Sequence, residues 1–218
     1  MTTMLERLDL EIERRSLLKH PFYRMWSGGQ LTHDHLRGYT KEYFHLVKAV
    51  PGFTKNIYDH PDSLRYHNEL ANNIKEESEH IEPWIKFAGS LGVSRQALLD
   101  HSPALKTIEA VSCLDNLTRK SLEEAVSTMY GYEKELPKIS SSKIRGLKEY
   151  YRMDSIDSTR YFEIHEEADI RHAGLWMSIL KEFSDSKASL VLEAEVKSLE
   201  AQNYLLDSIC EKYIGQCC

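Results

Sequence analysis

Apolar residues recur at spacings of three and four along nearly the whole chain, and no stretch shows the alternation a half-buried strand requires. The pattern predicts an all-α protein. A first helix from about Met4 to Leu18 carries Leu5, Leu8, Ile12 and Leu18 on one face, and "SGG" at Ser27 to Gly29 interrupts it. Thr32 can cap a second helix that bears Tyr39, Tyr43, Leu46 and Val47 toward Pro51. A long helix from about Asp62 to Ala88 is expected to kink or reorganise at Pro83. Ser94 caps a short helix through Leu99, another runs to about Thr118, and "SLEE" at Ser121 to Glu124 has the form of a capping box. Pro137 limits the helix that follows. "SSS" at Ser140 to Ser142 starts a brief one with Ile144, Leu147 and Tyr151, and two more cover about Ser158 to Phe183 and Lys187 to Tyr213. No internal repeat suggests a solenoid. The expectation is a compact bundle of seven or eight helices with a tail frayed from about 214.

One helix breaks the rule that core faces are apolar. In "YFEIHEEADIRHAGLW", Tyr161 to Trp176, the residues His165, Asp169 and His172 fall within an arc of roughly 60° at helical pitch, beside Phe162 and Trp176. Burying one such group without a partner costs about 1–3 kcal/mol, and a lone carboxylate more. Two other helices offer matching groups. "NNIKEESEHIEPW" places Glu76 and His80 four apart on one face, and in "STMYGYEKELP" the inward line through Val126, Met129 and Tyr130 continues to Glu133. Taken singly, each is an ordinary surface or helix-end group. Together they make three carboxylates and three imidazoles, the donor set of a dinuclear metal site in a helix bundle. Oxygen and nitrogen donors without thiolate suit iron or manganese better than structural zinc. The competing explanation is a buried ionic network in which Glu76 and Glu133 accept hydrogen bonds from the histidines.

Composition narrows the class. A length of 218 residues fits one domain, and 28 Lys+Arg against 34 Asp+Glu, a formal net charge of -6, argue against nucleic acid as the main partner. No apolar run is long enough to span a membrane, and "MTTMLERLDLEIERR" interleaves charge where a signal peptide needs an apolar core, so a cytoplasmic location is expected. Cys113, Cys210, Cys217 and Cys218 show no zinc spacing and are expected as reduced thiols.

"HPFYRMW", "YGYEKELPKISSSKIRGL" and "HEEADIRHA", in that order along nearly the whole chain, resemble the heme-oxygenase-like proteins typified by the chlamydial death-domain-associating protein, a family of self-sacrificing 4-aminobenzoate synthases. TenA thiaminases and the coenzyme PQQ synthesis protein C are more distant relatives of that fold. The resemblance implies a heme-oxygenase-like bundle and metal ligands at Glu76, His80, Glu133, His165, Asp169 and His172. The first Glu and its His stand closer here than in the family, which leaves Glu77, three residues before His80, as the alternative to the favoured Glu76. The resemblance also implies that Tyr23 is the tyrosine whose side chain becomes the product's ring, and that Lys143 donates the amino group.

It further implies two metal ions, Fe/Fe or Fe/Mn, with dioxygen and an external reductant, and a product that serves folate synthesis. Tyr39, Tyr43 and Tyr132 are candidates to line the site. A TenA-type activity would need a cysteine near "STMYGYEKE", where none stands, and a cofactorless oxidase would not need six ligand-type residues. Two alternatives stay open: a conventional dimetal oxygenase acting on an external small molecule, and an interaction protein that binds host death domains. A homodimer is a general prior for helical enzymes of this size.

Overall fold

The computed structural model describes residues 3–215. Among them are ten α-helices and no strand: α1 Met4–Arg14, α2 Pro21–Ser27, α3 His33–Tyr58, α4 His67–Ser90, α5 Arg95–Leu99, α6 Leu105–Thr118, α7 Leu122–Glu133, α8 Leu136–Tyr150, α9 Ile156–Leu180 and α10 Ala188–Ile209. Helix α9 is packed by α4, α7 and α8; α3 lies along α4 and α6, and α10 closes against α6, α7 and α1. The starts follow local chemistry. Thr32 and Ser121 cap α3 and α7 as capping boxes, and Ser94 and Ser155 cap α5 and α9 with their hydroxyls.

The count exceeds the seven or eight expected in part because the first segment divides in two, and a later helix also starts earlier than expected. The first helix stops at Arg14, and "HPFYRMW" forms its own helix, with His20 as N-cap and Pro21 in the first turn, where a proline's missing N–H is harmless. Helix α8 begins at Leu136 instead of at the serines, so only Lys134 and Glu135 separate it from α7. Glu135 tethers that tight turn by accepting hydrogen bonds from the Ser16 hydroxyl and from Leu17 N at 3.1 Å.

Two prolines are overridden. Helix α3 continues through Pro51 to Tyr58 and α4 through Pro83 to Ser90. A helix-interior proline costs about 3 kcal/mol. Beyond Pro51 the buried Phe53, Thr54 and Ile57 offset it, and Trp84, Ile85, Phe87 and Ala88 do so beyond Pro83.

At the C-terminal end, helical geometry persists as a π-turn over Cys210–Ile214, which reaches the first residue of the tail expected to fray. The rest of that expected tail, 216–218 with Cys217 and Cys218, lies outside the described residues. Cys113 is a free thiol, whereas Cys210 is disulfide-bonded, contrary to the expectation of reduced thiols throughout.

One core position predicts its own response to pH. Glu195 on α10 is fully buried, packs against Gly131 so closely that a Cβ there would come within 2.7 Å, and neither carboxyl oxygen meets a hydrogen-bond partner. Burial, with the charges of Asp9 and Glu11 adding, pushes its pKa up to about 9 from the ordinary 4.5. The unfolded chain ionises first, so stability falls as pH rises between those two values. Glu195→Gln is therefore expected to stabilise the protein by about 1–3 kcal/mol at pH 7. Urea unfolding from pH 5 to pH 8 should show that gain growing with pH.

Candidate metal centre

Helices α4, α7 and α9 each bring titratable side chains to one place in the core. Asp169 is 1% exposed, Glu133 1%, His172 4%, His165 5%, Glu77 6% and His80 6%. His172 Nδ1 lies 3.2 Å from Glu77 Oε1, 3.8 Å from Asp169 Oδ1 and 4.0 Å from Glu133 Oε2, and His80 Nδ1 lies 3.4 Å from Glu77 Oε2. Two triads, Glu77–His80–His165 and Glu77–Asp169–His172, each present donor atoms within 4.8 Å of one another. Glu77 belongs to both triads.

The sequence favoured Glu76 at that position, and the structure puts Glu77 there instead. Consecutive helical residues point about 100° apart, and the turn of α4 that directs His80 inward directs Glu77 with it. Glu76 sits at the rim, 36% exposed in its side chain, bound to His172 Nε2 at 3.0 Å and to Arg171 Nη2 at 2.8 Å. The other five residues expected as ligands, His80, Glu133, His165, Asp169 and His172, converge.

The cluster is unsatisfied on its own. Both carboxyl oxygens of Asp169, Glu133 Oε1, and Nδ1 of His80 and of His172 are buried without a hydrogen-bond partner. Each such atom costs about 1–3 kcal/mol. Burial, reinforced by the charges of Glu77 and Glu133, raises the Asp169 pKa well above the carboxylate range. Burial also pushes Glu133 up to about 8, opposed by His172 and supported by Glu77. Burial lowers His165 to about 4; His172 rises to about 9 because hydrogen bonding and charge from Glu77 and Glu133 outweigh its burial. Glu77 is held below the usual range despite burial, by the imidazoles of His172 and His80 beside it.

Ions of charge two would satisfy every one of these orphans, and three carboxylates with three imidazoles suit iron or manganese. The residues present therefore fit a metal pair. Two surrounding contacts orient the donors. His165 Nδ1 donates to Tyr161 O at 2.7 Å, which frees Nε2, and Trp176 Nε1 donates to Glu133 Oε2. The outer wall is a cavity of about 550 Å³ that His80 lines together with Glu76, Glu79, Glu163 and Arg171.

An aromatic cage adjoins the cluster. Lys143 on α8 is 3% exposed; its Nζ donates to Tyr39 Oη at 2.6 Å and stands 5.0 Å from the ring centroid of Tyr23, 5.2 Å from those of Tyr39 and Tyr43, and 5.1 Å from that of Phe162. Four rings attract an ammonium by about 0.5–2 kcal/mol each. Loss of water nevertheless dominates, and burial brings Lys143 down to about 7. The Tyr23 hydroxyl, buried beside Tyr39, meets no hydrogen-bond partner, and burial raises its pKa.

Tyr161 joins cage and cluster: its ring is 4.2 Å from that of His165 and 4.7 Å from that of Trp84, which in turn contacts Tyr43 at 5.3 Å and Tyr39 at 5.5 Å. Trp84, Tyr161, Phe162 and Trp176 were not singled out as site residues from sequence. The available signal was their helical spacing from His80, His165 and His172. Tyr132 is also fully enclosed, beside Tyr43 and Tyr161.

The model of a family described as iron-containing redox enzymes matches residues 42–202. The chain belongs to that family. The chain is 34% identical over 98% of its length and 94% of its counterpart to the 4-aminobenzoate synthase of Chlamydia trachomatis, and 30% identical over 97% and 92% to that of Nitrosomonas europaea. The fold is that of the heme-oxygenase-like TenA proteins. A TenA homologue from Pseudomonas syringae superposes with a TM-score of 0.82 at 15% identity, covering 96% of this chain and 93% of the other. Among the described residues, no helix of this redox enzyme is long and apolar enough to cross a membrane.

Proposed function

We propose that the protein makes 4-aminobenzoate from its own side chains: the ring from Tyr23 and the amino group from Lys143. The observation that carries this reading is the buried Lys143 amine, 5.0 Å from the Tyr23 ring, in a cage that also abuts the candidate ligands. The similarity to 4-aminobenzoate synthases supports the product. We assign the metal ligands as Glu77, His80, Glu133, His165, Asp169 and His172, for Fe/Fe or Fe/Mn.

The atoms balance. The phenol oxygen of tyrosine is para to Cβ, as the amino group of 4-aminobenzoate is para to its carboxylate. The ring C–O bond is exchanged for C–N, the oxygen leaving as water; the Lys143 Cε–Nζ bond is broken, with Cε oxidised to an aldehyde; and the Tyr23 Cα–Cβ bond is cut, with Cβ oxidised to the carboxylate carbon. Dioxygen is the oxidant, and an external reductant supplies the remaining electrons. A bound metal pair supplies the dioxygen-reducing chemistry.

The chain's residues do the rest. Burial keeps a large share of Lys143 as the neutral amine, which alone carries the nucleophilic lone pair. Tyr39 holds that nitrogen over the cage, and the surrounding rings exclude water that would compete for an oxidised phenol. Tyr161 and Trp84 provide ring contacts between the donors and the cage. The product would feed folate synthesis in the cytoplasm.

The test is a single-turnover assay. Protein loaded with iron, or iron and manganese, receives dioxygen and a reductant, and 4-aminobenzoate is counted per chain. No more than about one equivalent is expected, with no added aromatic substrate. Many equivalents, or dependence on an added substrate, would make the protein a conventional oxygenase.

A further inference from the structure

We propose that Glu76 is a positioning residue for the centre: it fixes the ring and tautomer of His172 from outside, with Arg171 anchoring it. The inference rests on the metal-centre reading above. An imidazole can offer one nitrogen to a metal only if the proton resides on the other.

In His172 the division of labour is visible. Nε2 lies 3.0 Å from Glu76 Oε2, a hydrogen bond in which the ring N–H donates to the carboxylate. Nδ1, on the opposite side, has no hydrogen-bond partner and faces Glu77 at 3.2 Å, Asp169 at 3.8 Å and Glu133 at 4.0 Å. The Glu76 carboxylate thus accepts the Nε2 proton, which leaves Nδ1 as the nitrogen facing the three carboxylates, where a bound ion would take the place of its proton. Since Glu76 occupies the nitrogen that points away from the cluster, it stands outside the donor set it serves.

Arg171, the residue next to His172 on α9, binds the same Glu76 oxygen through Nη2 at 2.8 Å. The carboxylate is therefore clamped between adjacent side chains of α9 while rooted on α4, and the pair lies in the wall of the solvent-facing cavity. A carboxylate on the outer N–H also makes the inner nitrogen a better donor. For His165 the outer nitrogen donates instead to the backbone carbonyl of Tyr161, on its own helix.

The experiment titrates metal-free protein anaerobically with Fe(II), and separately with Co(II), whose visible absorption reports the donor set. Wild type, Glu76→Ala, Glu76→Gln, His172→Ala and the His172→Ala/Glu76→Ala double variant are compared. Glu76→Ala is expected to keep two metal equivalents, one of them bound about 10–100-fold more weakly and with altered Co(II) absorption. Glu76→Gln, whose amide oxygen still accepts from Nε2, should recover most of that affinity. In the His172→Ala background, Glu76→Ala should add no further loss.

Unchanged binding in Glu76→Ala would overturn the proposal. So would loss of one whole equivalent in both Ala and Gln variants, which would make Glu76 a ligand, and so would full additivity with His172→Ala. A wild type that binds no metal would overturn the metal-centre reading and this inference with it, whereas failure in the Glu76 variants alone leaves the centre intact.

Discussion

Tyr23→Phe yields no 4-aminobenzoate, a loss of at least about a thousandfold, with unchanged fold and metal content. The substitution removes one oxygen atom and nothing else. Because the Tyr23 hydroxyl is buried without a hydrogen-bond partner, its loss strands no other group, and stability should hold or rise slightly. The phenylalanine ring keeps its edge contact with Phe22, whose centroid lies 5.4 Å from that of Tyr23. What disappears is the carbon–oxygen bond at which nitrogen enters, and with it the phenol's ease of oxidation. A conventional oxygenase that merely packs substrate against Tyr23 would retain activity. Product quantified beside circular dichroism and metal analysis distinguishes the two cases.

The second large effect concerns Lys143. An ordinary lysine is neutral in only about one molecule in a few thousand at pH 7. Burial brings this one down to about 7, so close to half the molecules hold a nucleophilic amine there. The single-turnover rate should therefore fall about tenfold per pH unit below pH 6 and level off above pH 8. Lys143→Arg replaces the amine by a guanidinium that stays protonated, and product should vanish.

Stability rises with pH as activity does, over a higher range. The folded pKa lies below the unfolded one, so the folded state binds fewer protons between them, and wild-type stability rises as pH climbs from about 7 toward the ordinary lysine range. Lys143→Met in the metal-free protein should abolish that rise and gain on the order of 1–3 kcal/mol at pH 7, despite losing the bond to Tyr39. Stability without that signature would mean that the amine is better solvated than the cage allows.

Much of this architecture was legible in the chain because helix signals are local. Thr32, Ser94 and Ser121 cap where their spacing to the following residues says they should. The line His165, Asp169, His172 was visible because three residues on one helix share a face whatever the fold around them. Glu76 against Glu77 was a different matter. Both precede His80 by about one turn, and only the packing of α4 on α9 decides which of two directions 100° apart is inward.

Pro51, where the second helix was expected to end, misled for the same reason. Pro51 and Pro83 are unfavourable locally, and the buried residues beyond them that outweigh the cost belong to contacts with other helices. Lys143 was the least legible. Its burial depends on α8 starting at Leu136 and on Gly146, where a Cβ would come within 2.7 Å of the Trp26 ring. From sequence, a lysine in a helix is a surface residue unless a motif says otherwise.

The central claim is that the product's ring and nitrogen come from the protein itself. The most direct test is isotopic: protein produced with ring-13C tyrosine and side-chain 15N lysine is loaded with metal and turned over in unlabelled buffer with dioxygen and reductant, and the product is analysed by mass spectrometry. The account predicts 4-aminobenzoate carrying both labels, with a matching loss of mass from the chain. Unlabelled product from an intact chain would contradict it.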